Sequence, residues 1–400
     1  MNAISGRATK VNLGDMNRAS KFRVVFLSVL LLVAAIIVIA REHRPSFLRS
    51  GLRLYAYVST ADNSVSVVDL VKLATVAHVP VGGTISAMRE HPSRAELWGV
   101  SSSGGFAWVL DSRTSQIVAR IPVGPLPYSI DFSADGNRVY VPASGSNSLV
   151  AIDCGSRQVI AHAVTGAQPV VARVSEDDRF VLVLNRKDST AGIYDAATLR
   201  LRFTLGVVPD PEDAVILRDH SIAFIRSSTQ KRLSVIDLEK GQLLTNLEMA
   251  GIPSQMILKP DGGELYVLSP ESHGLQAINT WTHEVGDYVV LGSAPTRGVL
   301  LADTGELYVS DAAAGSVTPV DISYRRLGRP IAAGQLPGAL RFDPGDKARL
   351  LLVVSQASGG LSVIRIAADR TNDLNSSPPC CLLTIIPVGD QPRELAVKLF

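Results

Sequence analysis

The chain has 400 residues, of which 46% are hydrophobic and 19% charged, so it can bury a sizeable core and is not compositionally disordered. The formal charge is only +2, with Lys and Arg scattered along the chain, and aromatic residues make up 6%, which argues against nucleic acid as a partner. Three cysteines, Cys154, Cys380 and Cys381, are too few and too oddly spaced for a disulfide framework or a CxxC zinc site.

In chain order, residues 1–23 carry no periodic apolar pattern and read as an unstructured tail. Residues 24–40, "VVFLSVLLLVAAIIVIA", contain no charge and are followed at once by "REHR". With Arg23 and Arg41 snorkelling, this run is near the shortest helix that spans a hydrocarbon core of about 30 Å. It reads as a transmembrane anchor. A cleaved signal peptide, with Val38 and Ala40 as the small residues before the cut, is the rival reading. Arg7, Lys10, Arg18, Lys21 and Arg23 slightly outnumber Arg41, Arg44, Arg49 and Arg53, which favours a cytoplasmic N-terminus. Residues 41–53 are then a linker. Residues 54–400 lie on the periplasmic or extracellular side, attached to the membrane or, after signal cleavage, secreted.

From Leu54 onward the sequence repeats. Asp69, Asp111, Asp153, Asp195, Asp237, Asn279 and Asp321 follow one another in steps of 42 residues, and so do Pro127, Pro169, Pro211, Pro253, Pro295 and Pro337. Two independent columns at this period mark a propeller or solenoid repeat. Within one repeat, short β-branched runs such as "YSIDFS", "RVYVPAS", "SLVAID" and "VIAHAV" alternate with Gly, Asn, Asp and Pro clusters, so each repeat reads as four strands. "SADGN" from Ser133 and "KPDGG" from Lys259 supply hairpin turns, and "VGPLP" from Val123 supplies a loop between repeats.

The fold class is therefore an all-β propeller of four-stranded blades. Seven complete blades run from Ile85 to about Gly389. Three strands remain at Leu54–Gly82 and one at the end, "ELAVKLF" from Glu394 to Phe400. Pairing these four closes an eighth blade and removes the last open edges. A seven-bladed ring with a leftover segment is the alternative. In the last full blade the period is broken, mainly by "AADRTNDLNSSPP" (367–379), which reads as a tolerated insertion at the rim.

The pattern "NSVSVVD…VAHVPVG" with "FSADGNRVYV" resembles the YVTN-type β-propeller repeat of YncE-like exported bacterial proteins and of surface-layer-related proteins. The resemblance covers about Leu54 to Phe400. It implies a propeller fold, generally described in that family as seven-bladed. The sequence departs from the pattern at Asn279 and Arg365, and "YVTN" itself becomes "YVST", "YVPA", "YVLS" and "YVSD".

The Asp column recurs once per blade, so its members do not converge on one point; they read as turn caps. His78 and His162 occupy equivalent outer-strand positions two blades apart, while His91, His220, His273 and His283 fall in different phases, so they form no ligand cluster. Trp98, Trp108 and Trp281 share no phase, unlike the repeated tryptophan motif of quinoprotein dehydrogenases, and no CxxCH, GxSxG or phosphate-binding glycine loop is present. No cofactor is expected. The strongest functional signal lies in the innermost strands. Two and four residues after the loop position stand Asp213, Arg297 and Glu394, then Arg89, Asp131, Arg173 and Arg341; Glu212 and Arg393 follow their prolines directly. Charges near an axis are costly unless paired or hydrated. They read either as structural pairs between blades or as a channel mouth that binds an anionic or zwitterionic ligand. The functional expectation is a membrane-anchored scaffold for an unknown protein or small molecule. The alternative is a propeller enzyme of lactonase or dehydrogenase type with its site at that mouth.

Overall fold

The computed structural model describes residues 53–218, 221–302, 304–344, 350–366 and 381–400. The anchor read at 24–40, the inserted segment at 367–379 and Cys380 lie outside them. Every regular element among the described residues is a strand, and the strands form eight antiparallel sheets.

Blade 1 consists of Ala74–Pro80, Ser64–Asp69, Leu54–Ser59 and, as innermost strand, the C-terminal Leu395–Leu399. Tyr57 lies opposite Ala396 and Leu54 opposite Leu399, so the two ends of the propeller are joined by backbone pairing. The seven-bladed alternative is thereby excluded: the last strand has its partner, and the ring has eight blades. Blades 2 to 8 begin with their inner strands near Ile85, Asp131, Pro169, Pro211, Gln255, Pro295 and Pro337.

Two blades depart from four regular strands. In blade 3 the inner strand shrinks to Asp131–Phe132, preceded by one bridge between Pro127 and Ala143. In blade 7 the outer strand splits into Arg326–Leu327 and Ile331–Ala332 around Gly328, Arg329 and Pro330. Gly328 N–H still reaches Pro319 O at 2.7 Å, while Pro330 has no N–H to offer.

The core lies between blades. A 42-residue column in the second strands of blades 2 to 7 holds Trp98, Tyr140, Leu182, Phe224, Tyr266 and Tyr308, all fully buried. Aromatics of this size supply much of the burial, and Tyr140 also ties blade 3 to blade 4 by donating from its hydroxyl to Ala196 O at 2.7 Å.

The Asp column caps the turn between third and outer strands. Asp69 Oδ1 accepts the N–H groups of Val71 and Lys72, Asp237 Oδ1 those of Glu239 and Lys240, and Asn279 Oδ1 those of Trp281 and Thr282. An amide oxygen does the same work as a carboxylate here, which explains the substitution in blade 6.

At the opposite face, the loops into the inner strands of blades 1, 3, 4, 5 and 8 are tightly turned. Leu126, Gln168, Asp210, Leu336 and Gln391, each just before the loop proline, have positive φ. This conformation costs about 1 kcal/mol or more per residue. Their neighbours offset it: the carbonyls of Leu126, Gln168, Asp210 and Leu336 accept the N–H groups of Ser144, Arg186, Ser228 and Gln356. Just after the proline, the register of blades 4, 5 and 7 slips by one residue. Such a bulge re-aims the following side chains.

Candidate functional site in the central channel

The inner strands carry their polar residues in two tiers, separated by two residues or about 7 Å along the strand. The upper tier contains Asp213, Gln255, Arg297 and Glu394; the lower contains Arg89, Asp131, Arg173 and Arg341.

On one side of the ring the charges are paired between successive blades. Arg89 Nη1 of blade 2 donates to Asp131 Oδ1 of blade 3 at 2.6 Å. The other oxygen of Asp131 accepts Val174 N–H of blade 4 at 3.0 Å. Arg173 Nη2 of blade 4 donates to Asp213 Oδ1 of blade 5 at 2.6 Å, and its Nε to Ala214 O at 3.3 Å. Glu212 Oε2 accepts from Arg186 Nη2 at 2.9 Å. Burial acts to raise the Asp213 carboxyl, but Arg173 and Arg226 outweigh it and hold Asp213 below its ordinary range. Five of the nine residues singled out in the sequence thus form structural pairs between or beside blades.

On the other side the cations have no ion-pair partner among the described residues. Arg297 Nη1 donates to Ser254 O at 3.3 Å, and Arg341 Nη1 to Leu340 O at 3.2 Å. Arg393 is exposed, with its backbone N–H on Ser59 O. No carboxylate of the described residues comes within 4.0 Å of these three side chains. Glu394, held by its N–H to Ser59 Oγ at 3.0 Å, likewise makes no ion pair with a described residue. Its side chain is exposed to solvent, with the inner strands of blades 8 and 2 on either side of its own. That enclosure raises its carboxyl above the ordinary range, against the pull of Arg297, Arg341 and Arg89.

Two residues join the site that the inner-strand columns do not contain. Arg186 lies on the hairpin of blade 4, stacked over Tyr128 at 5.3 Å. Arg226 lies near the end of the second strand of blade 5, Ile222–Ser227, directly across from Asp213, so both side chains share a face. It is 8% exposed, donates from Nη1 to Pro253 O at 3.3 Å, and leaves Nε buried without a partner. Burial, with Arg297 and Arg173 adding to it, makes this guanidinium less basic than usual, opposed by Asp213 and Glu212.

Elsewhere, among the described residues, no group of three or more His, Cys, Asp or Glu is placed to hold a metal ion. Trp98 and Trp108 are core residues, and Trp281 is 63% exposed on a turn. Cys381 opens the outer strand of blade 8, Cys381–Pro387, away from the channel.

Eight four-stranded blades around a charged channel make this chain an eight-bladed β-propeller. Its likeness to solved structures is one of fold. The dihydro-heme d1 dehydrogenase NirN, in complex with DHE, superposes with a TM-score of 0.72 at 14% identity, over 88% of this chain and 77% of that one. Hydrazine synthase of Kuenenia stuttgartiensis gives a TM-score of 0.55 at 17% identity, over 71% and 96%. Sqt1 of Saccharomyces cerevisiae gives 0.62 at 11% identity, over 71% and 83%. No family model matches the chain, and no curated protein matches it in sequence. The YVTN-type likeness therefore stays at the level of the repeat and assigns no family.

Proposed function

We propose that this propeller is a non-catalytic binding module, tethered to the membrane by residues 24–40, whose channel takes an anionic ligand on the side of blades 5 to 8. One observation carries the reading. Arg226, Arg297 and Arg341 have no carboxylate within ion-pair distance among the described residues, whereas Arg89, Arg173 and Arg186 do. A guanidinium is always charged and presents a fork of donors suited to carboxylate, sulfate or phosphate oxygens. An anion in this half of the channel supplies the missing partner of Arg226 Nε and neutralises cations that one Glu394 does not balance. The apolar run at 24–40 supports the tether, and the YncE-like repeat supports an exported scaffold. The test is native mass spectrometry of protein gently extracted from membranes. An anionic small molecule retained by the wild type and lost from Arg297→Ala/Arg341→Ala is expected; equal retention by both contradicts the reading.

The alternative, a channel-mouth enzyme of lactonase or dehydrogenase type, draws on the likeness to a dihydro-heme d1 dehydrogenase. At 14% identity that likeness concerns the fold. A visible-absorbing cofactor that stays with the purified protein favours it.

A further inference from the structure

Glu394 is the only carboxylate among the described upper-tier residues that no arginine holds in an ion pair, and its surroundings are almost wholly cationic. It immediately precedes the strand Leu395–Leu399, which lies between the inner strands of blade 8 and blade 2. Blade 8 presents Arg341, blade 7 beyond it Arg297, and blade 2 Arg89, which is already bound to Asp131. Blade 2 also carries Glu90, whose field falls on Lys398. The second strand of blade 1, Leu54–Ser59, has no charged residue; of its two tyrosines, Tyr57 is buried with its hydroxyl donating to Ser112 O, and Tyr55 stands near the far end, opposite Lys398. On its own strand, Arg393 precedes it, and Lys398 is turned away, donating to His91 O.

We infer that Glu394 makes anion capture proton-coupled: an anion seats on Arg297, Arg341 and Arg226, and Glu394 takes up one proton as it enters. The inference rests on the anion-binding reading and adds its regulation. Without ligand, three arginines favour the ionised carboxylate against its enclosure. An incoming anion draws on two of these, Arg297 and Arg341, and sets a like charge beside the carboxylate, so both changes favour the protonated form. The proton comes from solvent, and the neutral acid then donates a hydrogen bond toward the anion. Linkage fixes the sign. Where the complex holds one more proton than the free protein, affinity rises as pH falls, by up to about tenfold per pH unit. The rise ends once Glu394 is protonated before binding.

The probe is sulfate, whose charge is constant from about pH 5 to 8. Calorimetric titration across that range, in buffers of different ionisation enthalpy, yields both affinity and protons taken up. Affinity that climbs toward low pH, with uptake approaching one proton per sulfate, is expected for the wild type. Glu394→Gln, isosteric with the protonated acid and facing the channel water, is expected to bind with flat pH dependence and at least tenfold more tightly than wild type at pH 8. Wild-type binding with no proton uptake overturns the inference while leaving the anion site intact, as does a pH slope that persists in Glu394→Gln. Failure of both proteins to bind sulfate at any pH overturns the anion site and the inference with it.

Discussion

Closure of the ring by its last strand sets a strong quantitative demand. A stop codon after Arg393 removes Glu394 to Phe400 and with them five paired residues facing Leu54–Val58. Such a ladder contributes about one backbone hydrogen bond per residue pair, each worth roughly 0.5–1.5 kcal/mol net, or about 5 kcal/mol together. Leu395 and Val397 are 3% and 6% exposed, and losing two buried aliphatic side chains costs roughly 3–6 kcal/mol more. The sum of about 8–11 kcal/mol is comparable to the whole stability of an ordinary domain, roughly 5–15 kcal/mol. Truncated protein should therefore be unfolded or open at blade 1. Urea denaturation followed by far-ultraviolet circular dichroism measures this, and a synthetic peptide of residues 394–400 should restore part of the lost stability. A truncated chain with the urea midpoint of the full-length protein would refute the closure argument.

Smaller perturbations test other parts of the structure. Asp237→Ala removes the acceptor of two turn N–H groups and should cost about 1–2 kcal/mol in urea denaturation, whereas Asp237→Asn should cost less, because Asn279 fills the same role one blade on. His91 is buried, with Nδ1 accepting from Ser93 and Arg94 N–H, and burial lowers its pKa. The unfolded chain binds that proton more readily, so the stability His91 gives is present above about pH 6.5 and is lost as pH falls through the lowered folded value. His91→Asn, which keeps a turn acceptor, should flatten thermal midpoints between about pH 7 and 5. Burial pushes the Cys154 thiol up to about 12, so Cys154 should resist iodoacetamide in the native protein and react only after unfolding.

Most of the fold is legible in the sequence because each blade repeats one solution to the same packing problem. The Asp column and the loop prolines keep a 42-residue step, and the fragment of three strands at Leu54 matches the single strand at Phe400, so the eighth blade follows from counting strands. What is not legible depends on local donors: the split outer strand of blade 7 follows from where Pro330 falls relative to its ladder, while the shortened inner strand of blade 3 has no counterpart in the proline column, since the equivalent prolines of blades 4, 5, 7 and 8 begin full strands. The channel is legible in part. Inner-strand columns point to Arg89, Asp131, Arg173, Asp213, Arg297, Arg341 and Glu394, but which of them pair depends on side-chain reach across blade boundaries. Arg226 escapes those columns because it lies on a second strand. Its signal is nevertheless present: the positions in register with it are Val58, Val100, Pro142, Leu184, Leu268, Ser310 and Val354, and only blade 5 puts a charge there. Arg186 similarly replaces the Ser102, Ser144 and Ser228 of its own column. An isolated arginine in a column of small or apolar residues is a better guide to the site than the charge of the inner strands alone.

The central claim is that the half-channel of Arg226, Arg297 and Arg341 is an anion site. Sulfate titration of wild type beside Arg297→Ala/Arg341→Ala tests it most directly, with Arg232→Ala, which breaks only an exposed rim pair with Glu248, as a control for lost surface charge. The account predicts saturable binding to wild type and to Arg232→Ala, and at least tenfold weaker binding to the channel variant. Equal affinity in all three proteins, or no binding to the wild type, would contradict it.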